Sequence, residues 1–411
     1  MPKITPEIET FARIRVVGVG GSGKNATNHM VNSHVKGVDF IAINTDAQDL
    51  QNSLAKKKIH IGKNLTRGLG TGMNPDLGRR AAEETKEEIQ EALKGADMVF
   101  IAGGMGGGTG TGSAPIVAQT AKELGALTVA VVTKPFSFEG SQRNRLAEAG
   151  LEELRKQVDA LIVIPNDRIL ATVSKDTRAK DAFAMSDDIL RQAVEGISDL
   201  ITTPGTINVD FADIRSVMEN AGSALMGIGT ASGDNRAVEA AKAAINSPLL
   251  DISIHNAKGV LFAVAGGDDL GMLEIQDAAK IITESIDPNA RVIFGTIFDE
   301  KLKKNEIRVT VIATGFPDPT NLTRETLFPG RPAFVRPQEE EKKTGFFSTT
   351  TASTIQVKDR EEKKVEMPST SVAQTTPPTT TPAPTKDTKP LPDEDNDDWG
   401  AVPAFLRRNK K

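Results

Sequence analysis

The sequence has no cysteine, no tyrosine and a single tryptophan, Trp399, close to its C-terminal end. Without cysteine there are no disulfides and no thiolate metal ligands, which fits a reducing cytoplasm. Phenylalanine is nearly the only aromatic residue, so a platform for stacking successive bases is missing. No apolar run approaches the roughly 20 residues of a membrane span, so direct membrane insertion is not expected. Residues 1–12 lack a signal-peptide pattern. Net charge is −5 with no long basic run, which argues against a nucleic-acid partner. The four histidines, His29, His34, His60 and His255, show no ligand-like clustering. What remains is a chain of 411 residues, long enough for two domains and further segments, whose cores must be built from Val, Ile, Leu, Ala and Phe.

Glycine is abundant and concentrated in loops. Residues 103–112 read Gly-Gly-Met-Gly-Gly-Gly-Thr-Gly-Thr-Gly, after an apolar run over 98–102 and before a helical pattern over 113–124. A strand thus empties into a glycine loop that opens a helix. Glycine admits positive φ and lets the backbone approach a ligand, and a helix N-terminus favours an anion. A flexible surface loop would not carry alternating threonines between two well-formed elements, so phosphate is the first expectation. An expected strand over 13–17 likewise runs into Gly18-Val19-Gly20-Gly21-Ser22-Gly23-Lys24-Asn25 and a helix to about residue 35. Gly18, Gly20 and Gly23 fit the dinucleotide G-x-G-x-x-G. Gly18 with Gly23-Lys24 nearly fits the P-loop, but Asn25 replaces its metal-ligating hydroxyl. Both templates lay a phosphate chain on a helix N-terminus.

A second strand over 40–44 ends in Asn44-Thr45-Asp46, which reads either as ligand groups at a strand's carboxyl end or as an Asx turn. After a short strand over 59–61 comes another glycine loop, residues 68–74, with Thr71 and Gly72, then Pro75 at the start of a helix to about residue 93. An apolar strand over 128–132 is followed by a helix from Ser141 to about residue 158, with Ser141 as its cap. Glu139 and Arg143 form either a local ion pair or a ligand contact. Residues 160–164 make the next strand, with Asn166 and Asp167 beyond it. The alternation of strand and helix predicts an α/β fold with a parallel, doubly wound, Rossmann-like sheet and every glycine loop on one rim.

The segment 186–201 reads as a long helix capped by Ser186, with Ile189, Ala193, Ile197 and Ile201 in one stripe and apolar residues beside it. Such breadth marks a buried connecting helix, and a boundary is expected near residue 204. Asp210 and Asp213 then stand at a helix start opened by Asp213, as capping groups or as catalytic carboxylates. The pattern to residue 316 suggests a second, α+β domain. Beyond it, Pro, Thr, Ser and mixed charge predict a disordered linker over 317–392. The end regains character: Trp399, Val402, Pro403, Phe405, Leu406 and Arg407 form an apolar cluster between acidic and basic flanks, read as a docking peptide over 393–411.

Residues 106–112, Gly-Gly-Gly-Thr-Gly-Thr-Gly, look like the tubulin-family signature. The segments 20–25, 44–46, 68–75, 134–136, 208–213 and 403–407 resemble the bacterial cell-division branch of the tubulin/FtsZ GTPase family. The resemblance covers about residues 11–316 and the terminal peptide; the linker carries none of it. It implies a flexible N-terminus over 1–12, a GTP-binding domain over 13–180, a connecting helix over 181–204 and a C-terminal domain over 205–316. It further implies that Gly21, Ser22, Gly23, Lys24 and Asn25 with Gly108, Thr109 and Gly110 wrap the phosphates of GTP or GDP. Asn44 and Asp46 would line the site, and Thr71 and Gly72 belong to the loop sensing the γ-phosphate. Glu139 and Arg143 would contact the ribose and phosphate side, Asn166 and Asp187 guanine, and Phe183 its ring. Asn208, Asp210 and Asp213 of one subunit would complete the site of the next, with Mg²⁺ offsetting phosphate charge. The implied protein is a GTPase that polymerises head-to-tail into the ring at the mid-cell division site. Its tail would dock onto membrane-tethering and regulatory division proteins. Two alternatives are a Rossmann-type NAD(P) oxidoreductase and a tubulin-like scaffold without hydrolysis. The second alternative predicts loss of Asp210 or Asp213, and both are present.

Overall fold

The computed structural model describes residues 12–170, 177–203, 205–247, 254, 257–299 and 302–316. All of them fall within one compact unit, Met1–Ala333. The linker expected over 317–392 and the peptide over 393–411, including Trp399, lie outside the described residues.

The first half alternates as expected. Strand β1 (Ile14–Val19) leads to helix α1 (Gly20–Asn32), and β2 (Val38–Asn44) to α2 (Ala47–Gln51). Next come β3 (Lys57–His60), α3 (Lys63–Thr66), α4 (Pro75–Glu84) and α5 (Lys86–Leu93). Strand β4 (Met98–Gly104) enters α6 (Thr109–Glu123), β5 (Leu127–Lys134) enters α7 (Ser141–Gln157), and β6 (Ala160–Pro165) enters α8 (Asn166–Leu170). The long α9 (Ala179–Thr202) and α10 (Phe211–Met218) follow, then β7 (Gly222–Ser232), α11 (Arg236–Ile245) and β8 (Gly259–Gly266). The described fold ends with α12 (Met272–Thr283), β9 (Arg291–Phe298) and β10 (Glu306–Thr314).

Ten strands make one sheet in the order β3-β2-β1-β4-β5-β6-β7-β10-β8-β9. Neighbours from β3 to β7 are parallel, β10 is antiparallel to both β7 and β8, and β9 is parallel to β8. Only three residue pairs, starting at Ala160 and Gly222, join β6 to β7. Strand order reverses between β1 and β4, which makes a crevice at their carboxyl ends. The two main glycine loops leave these two strands side by side.

Side-chain alternation along the strands feeds two cores. Val16, Phe100, Val129 and Ile162 point to the face covered by Ala26 and Met30 of α1 and by α9. Val17, Ile101, Ala130 and Leu161 point to the other face, under Val117 of α6, Leu154 of α7 and Ile89 of α5. A third cluster joins β8 and β10 to α11 and α12. Each aliphatic side chain buried completely in this way stabilises the fold by roughly 1.5–3 kcal/mol.

Several expected boundaries move, for physical reasons. Helix α9 starts seven residues before Ser186, because Ala179, Lys180, Ala182, Ala184 and Met185 are mostly good helix formers. Ser186 is therefore no cap; it is buried inside the helix, and its Oγ donates to Oδ1 of Asn166 at 2.9 Å. The buried face of α9 is Leu190, Ala193, Val194, Ile197 and Leu200, whereas Ile189 and Ile201 are only partly buried. The helix expected over 75–93 is broken at Thr85 into α4 and α5. Gly140, at φ 102°, precedes α7, so Ser141 is its first residue and not its cap. Asp210 rather than Asp213 caps α10, its Oδ1 accepting from the Asp213 N–H at 2.8 Å. Helix α6 begins at Thr109, inside the glycine signature, four residues before the expected start at Ser113.

Candidate functional site

On the carboxyl rim of the parallel sheet, the long helices α1 and α6 follow the two adjacent glycine-rich strand ends, and neither N-terminus has a side-chain cap. Val19 precedes α1 and Gly108 precedes α6, and neither supplies an acceptor for the free N–H groups of the first turn. The two ends are close: a Cβ on Gly20, which lies at φ 72°, would come within 3.0 Å of the Gly110 nitrogen. By contrast α2 is capped by Asp46 and α4 by Asn74, whose Oδ1 accepts from Leu77 N–H at 3.2 Å. Two uncapped helix dipoles aimed at one crevice make a site for a polyanion.

Threonines tie the surrounding loops together. Thr109 Oγ1 is 2.6 Å from Thr45 Oγ1 and 3.3 Å from Thr71 Oγ1. A Cβ on Gly108 would strike Thr71 Oγ1 and come within 2.6 Å of the Asn74 nitrogen, so only glycine lets these loops meet. The Oδ1 of Asn44 accepts from the Thr45 N–H at 2.9 Å and the Asp46 N–H at 3.3 Å, the Asx geometry. Its Nδ2 donates to Asp49 at 2.8 Å. Lys24, buried to 7 % exposure, points its ammonium at the other Asp49 oxygen, 2.7 Å away. Sequence reasoning, which weighs only Asn44-Thr45-Asp46 in this segment, does not select Asp49.

Beside this rim a cavity of about 220 Å³ opens. Seven expected residues line it: Ser22, Asn25, Glu139, Arg143, Asn166, Phe183 and Asp187. Gly104, Met105, Thr133, Pro135 and Ser186 join them; none of these five was expected to line the site. Arg143 pairs with Glu139 at 3.1 Å, the local bridge, while its Nε is buried without a hydrogen-bond partner. An orphaned buried donor in a residue that lines a polar cavity is an unmet hydrogen bond beside the site. Phe183 is 47 % exposed and stands edge-on to buried Phe136, with ring centroids 5.4 Å apart.

Burial pushes the Asp187 carboxyl up to about 6, against the opposing pull of His29 and Lys24. Burial acts on its neighbour Asp188 too, but hydrogen bonds from Arg191, His29 and Gln192 outweigh it and hold that group below its ordinary value. One carboxyl of the pair is satisfied by protein, and the other faces the cavity with burial as its largest perturbation. That contrast marks Asp187 as a group kept for a ligand. A larger groove of about 500 Å³ lies among α4, α6 and α7. It borders Thr111 and Gly112 near the start of α6 but shares no lining residue with the smaller cavity.

Asn208, Asp210 and Asp213 do not join this site. All three are exposed, and they lie at the opposite, amino-end rim. Arg215 of α10 donates to the Gly125 carbonyl, just before β5 begins, and Lys122 to Asn220. The end of α9 touches the start of β2, since a Cβ on Gly37 would overlap the Thr202 side chain. Among the described residues no cluster of three His, Cys, Asp or Glu could hold a metal ion, and no helix is long and apolar enough to cross a membrane.

Comparison with known proteins identifies the family and the fold. The GTPase domain of the Tubulin/FtsZ family matches residues 13–174, and the C-terminal domain of the FtsZ family matches residues 222–317. An FtsZ dimer from M. jannaschii, solved empty, is 48% identical, with a TM-score of 0.72 over 75% of this chain and 89% of that one. Two proteins from Haloferax volcanii share the fold. The CetZ2 protofilament with GTPgS is 21% identical, with a TM-score of 0.63 over 73% of this chain and 92% of that one. The CetZ1 monomer with GDP is 22% identical, with a TM-score of 0.65 over 74% and 95%. These likenesses point to the family and not to its bacterial branch in particular.

Proposed function

The chain belongs to the tubulin/FtsZ family and is a GTPase of the FtsZ type, and from that membership we propose that its active site is completed only between subunits stacked head to tail. The observation that carries this reading is the separation of the two halves. The cradle and cavity occupy the carboxyl rim, and the loop over 208–213 the amino rim. Along α9, Asp187 and Thr202 are already about 22 Å apart at 1.5 Å per residue. No side chain bridges that distance within one subunit.

In this reading the uncapped ends of α1 and α6 hold the phosphates through the backbone of residues 20–25 and 108–110. The loop of Thr71 and Gly72 lies against Gly108 and meets the γ-phosphate. The cavity takes the base and ribose: Phe183 packs on the ring, Asp187 accepts from the guanine N–H groups, and Asn166, its Oδ1 occupied by Ser186, donates. Arg143, paired with Glu139 at the cavity wall, meets the ribose and phosphate side. Mg²⁺ would enter with the nucleotide, since phosphates and one or two carboxylates suffice for it, and Asp46 is a carboxylate on that rim. It would neutralise phosphate charge. Asp210 and Asp213 of the next subunit orient and polarise the attacking water, and Asn208 shapes their loop through its bond to the Gly205 N–H at 2.8 Å. A head-to-tail contact that does not close builds a filament. We place that filament in the ring at the mid-cell division site, in the cytoplasm, with residues 393–411 as the tether to membrane-linked and regulatory division proteins. Residues 13–180 and 205–316 serve as the binding and the completing domain, joined by α9.

The test is GTP turnover against protein concentration with Mg²⁺, alongside light scattering. Turnover per subunit is expected to vanish below a threshold and to rise with scattering above it. Asp213→Ala is expected to bind GTP and assemble while hydrolysing at least tenfold more slowly, the scale of a lost electrostatic group. Turnover strictly proportional to protein, with no assembly, overturns the shared site.

A further inference from the structure

Lys24 belongs to the phosphate-loop sequence pattern, where a lysine is expected to reach phosphate, yet it lies inside α1 and its ammonium pairs with a carboxylate. It is buried and lies 2.7 Å from Asp49 Oδ1. Asp49 is itself immobilised: its Oδ2 accepts from Asn44 Nδ2 at 2.8 Å, and its N–H donates to Asp46 Oδ1 at 2.9 Å. That Oδ2 would lie 3.6 Å from a Cβ on Gly21, so the carboxylate borders the backbone of the cradle. The same ammonium opposes the burial of Asp187 in the neighbouring cavity, after the larger influence of His29.

We propose that Lys24 and Asp49 act as one positioning unit that pins the N-terminal part of α1 to α2. In that unit Lys24 cancels a carboxylate that would otherwise repel the nucleotide's phosphates. The inference rests on the reading of residues 20–25 as a phosphate cradle. Its physical basis is that Asp49 cannot swing away when its partner is removed, because Asn44 and the first turn of α2 hold it in place. Removing one member of a buried pair leaves an uncompensated charge, whereas removing both leaves none. The pair therefore sets nucleotide affinity jointly, and neither residue does so as a phosphate ligand.

The experiment is a double-mutant cycle on the full chain, with GDP binding measured by calorimetry at fixed ionic strength. Lys24→Met is expected to weaken GDP binding by roughly tenfold to thirtyfold, below the full cost of breaking a buried pair because Asp49 is partly exposed. Asp49→Asn, which keeps the side chain's shape, is expected to stay within about threefold of wild type, and the double variant to recover most of the loss. Lys24→Arg preserves the charge and is expected to rescue. In GTP turnover by assembled protein, Lys24→Met is expected to raise KM with kcat nearly intact. Lys24→Gln serves as the milder substitution if Lys24→Met fails to fold. If the two single losses multiply in the double variant, Lys24 contacts phosphate directly and the pinning role is overturned. Wild-type chain that takes up no GDP refutes the functional reading and this inference with it. Binding with a non-coupled cycle refutes the inference alone.

Discussion

Asp187→Asn tests the site where function and stability oppose each other. A rise of the carboxyl from 3.8 to about 6 corresponds to ~3 kcal/mol against the ionised form in the folded state. Residual exposure at the cavity mouth screens part of this, so a cost of ~1–2 kcal/mol is the working figure. The sign follows from linkage: between pH 4 and pH 6 the folded chain holds the proton more tightly than the unfolded one. Wild-type stability therefore falls as pH rises through that window, and the loss is complete above it. Asparagine keeps the shape and cannot ionise. Nucleotide-free Asp187→Asn should unfold in urea like wild type near pH 4 and gain the full difference above pH 6. GDP binding should move the other way, weakening by about tenfold to a hundredfold at pH 7.5 as hydrogen bonds to a charged acceptor are lost. Wild-type GDP affinity should itself decline below about pH 6. A variant that is no more stable than wild type at pH 7.5, or that binds GDP as well, refutes the assignment of Asp187 as a carboxylate held in reserve for the base.

Two further substitutions separate the cradle from the cavity. Gly108→Ala drives a Cβ into Thr71 Oγ1 and the Asn74 backbone; circular dichroism should show the fold retained, while the displaced loops cost ~1–3 kcal/mol of nucleotide binding. Equal GDP affinity would remove the loop junction from the site. Ser186→Ala takes away the donor that occupies Asn166 Oδ1 and leaves a buried acceptor unpaired, a cost of ~1–3 kcal/mol. Its signature should be weaker preference for GTP over ATP with assembly of GTP-saturated protein preserved, measured by competition binding and light scattering.

Much of this molecule was legible because its signals are local and repeated. Strand, glycine loop and helix recur, and each uses the carboxyl end of a strand, so the order of elements alone places residues 20–25 and 108–110 on one rim. Hydrophobic patterning located α9 but misplaced its start, because Ser186 looks like a cap and its actual partner, Asn166, is 20 residues away in sequence. The buried face of α9 was largely legible: Ala193 and Ile197 of the expected stripe are buried, as are Leu190, Val194 and Leu200 beside it, and only Ile189 and Ile201 at its ends are partly buried. Asp49 was missed because a single acidic residue in a short helix carries no motif, and its partners Lys24 and Asn44 are brought to it by the fold. The pairing of Lys24 with Asp49 is tertiary, and spacing in one strand–turn–helix unit carries no trace of it.

The geometry also divides the work between the two acidic residues of the amino rim. Asp210 spends one carboxylate oxygen on the first turn of α10, and that turn is further held by Arg215 over the Phe211 ring, 5.3 Å from its centroid. Asp213 supplies only its backbone N–H to that cap, while its carboxylate stays exposed on the next face of the helix. Asp210 therefore fixes the direction in which Asp213 is presented. On the proposed reading, placing the presenting group on one end of the sheet and the phosphate cradle on the other, with the buried α9 between them, would make the distance within a subunit a barrier to hydrolysis that the contact between subunits removes. Assembly and GTP turnover would then be coupled by this geometry, with no need for a conformational change in either residue.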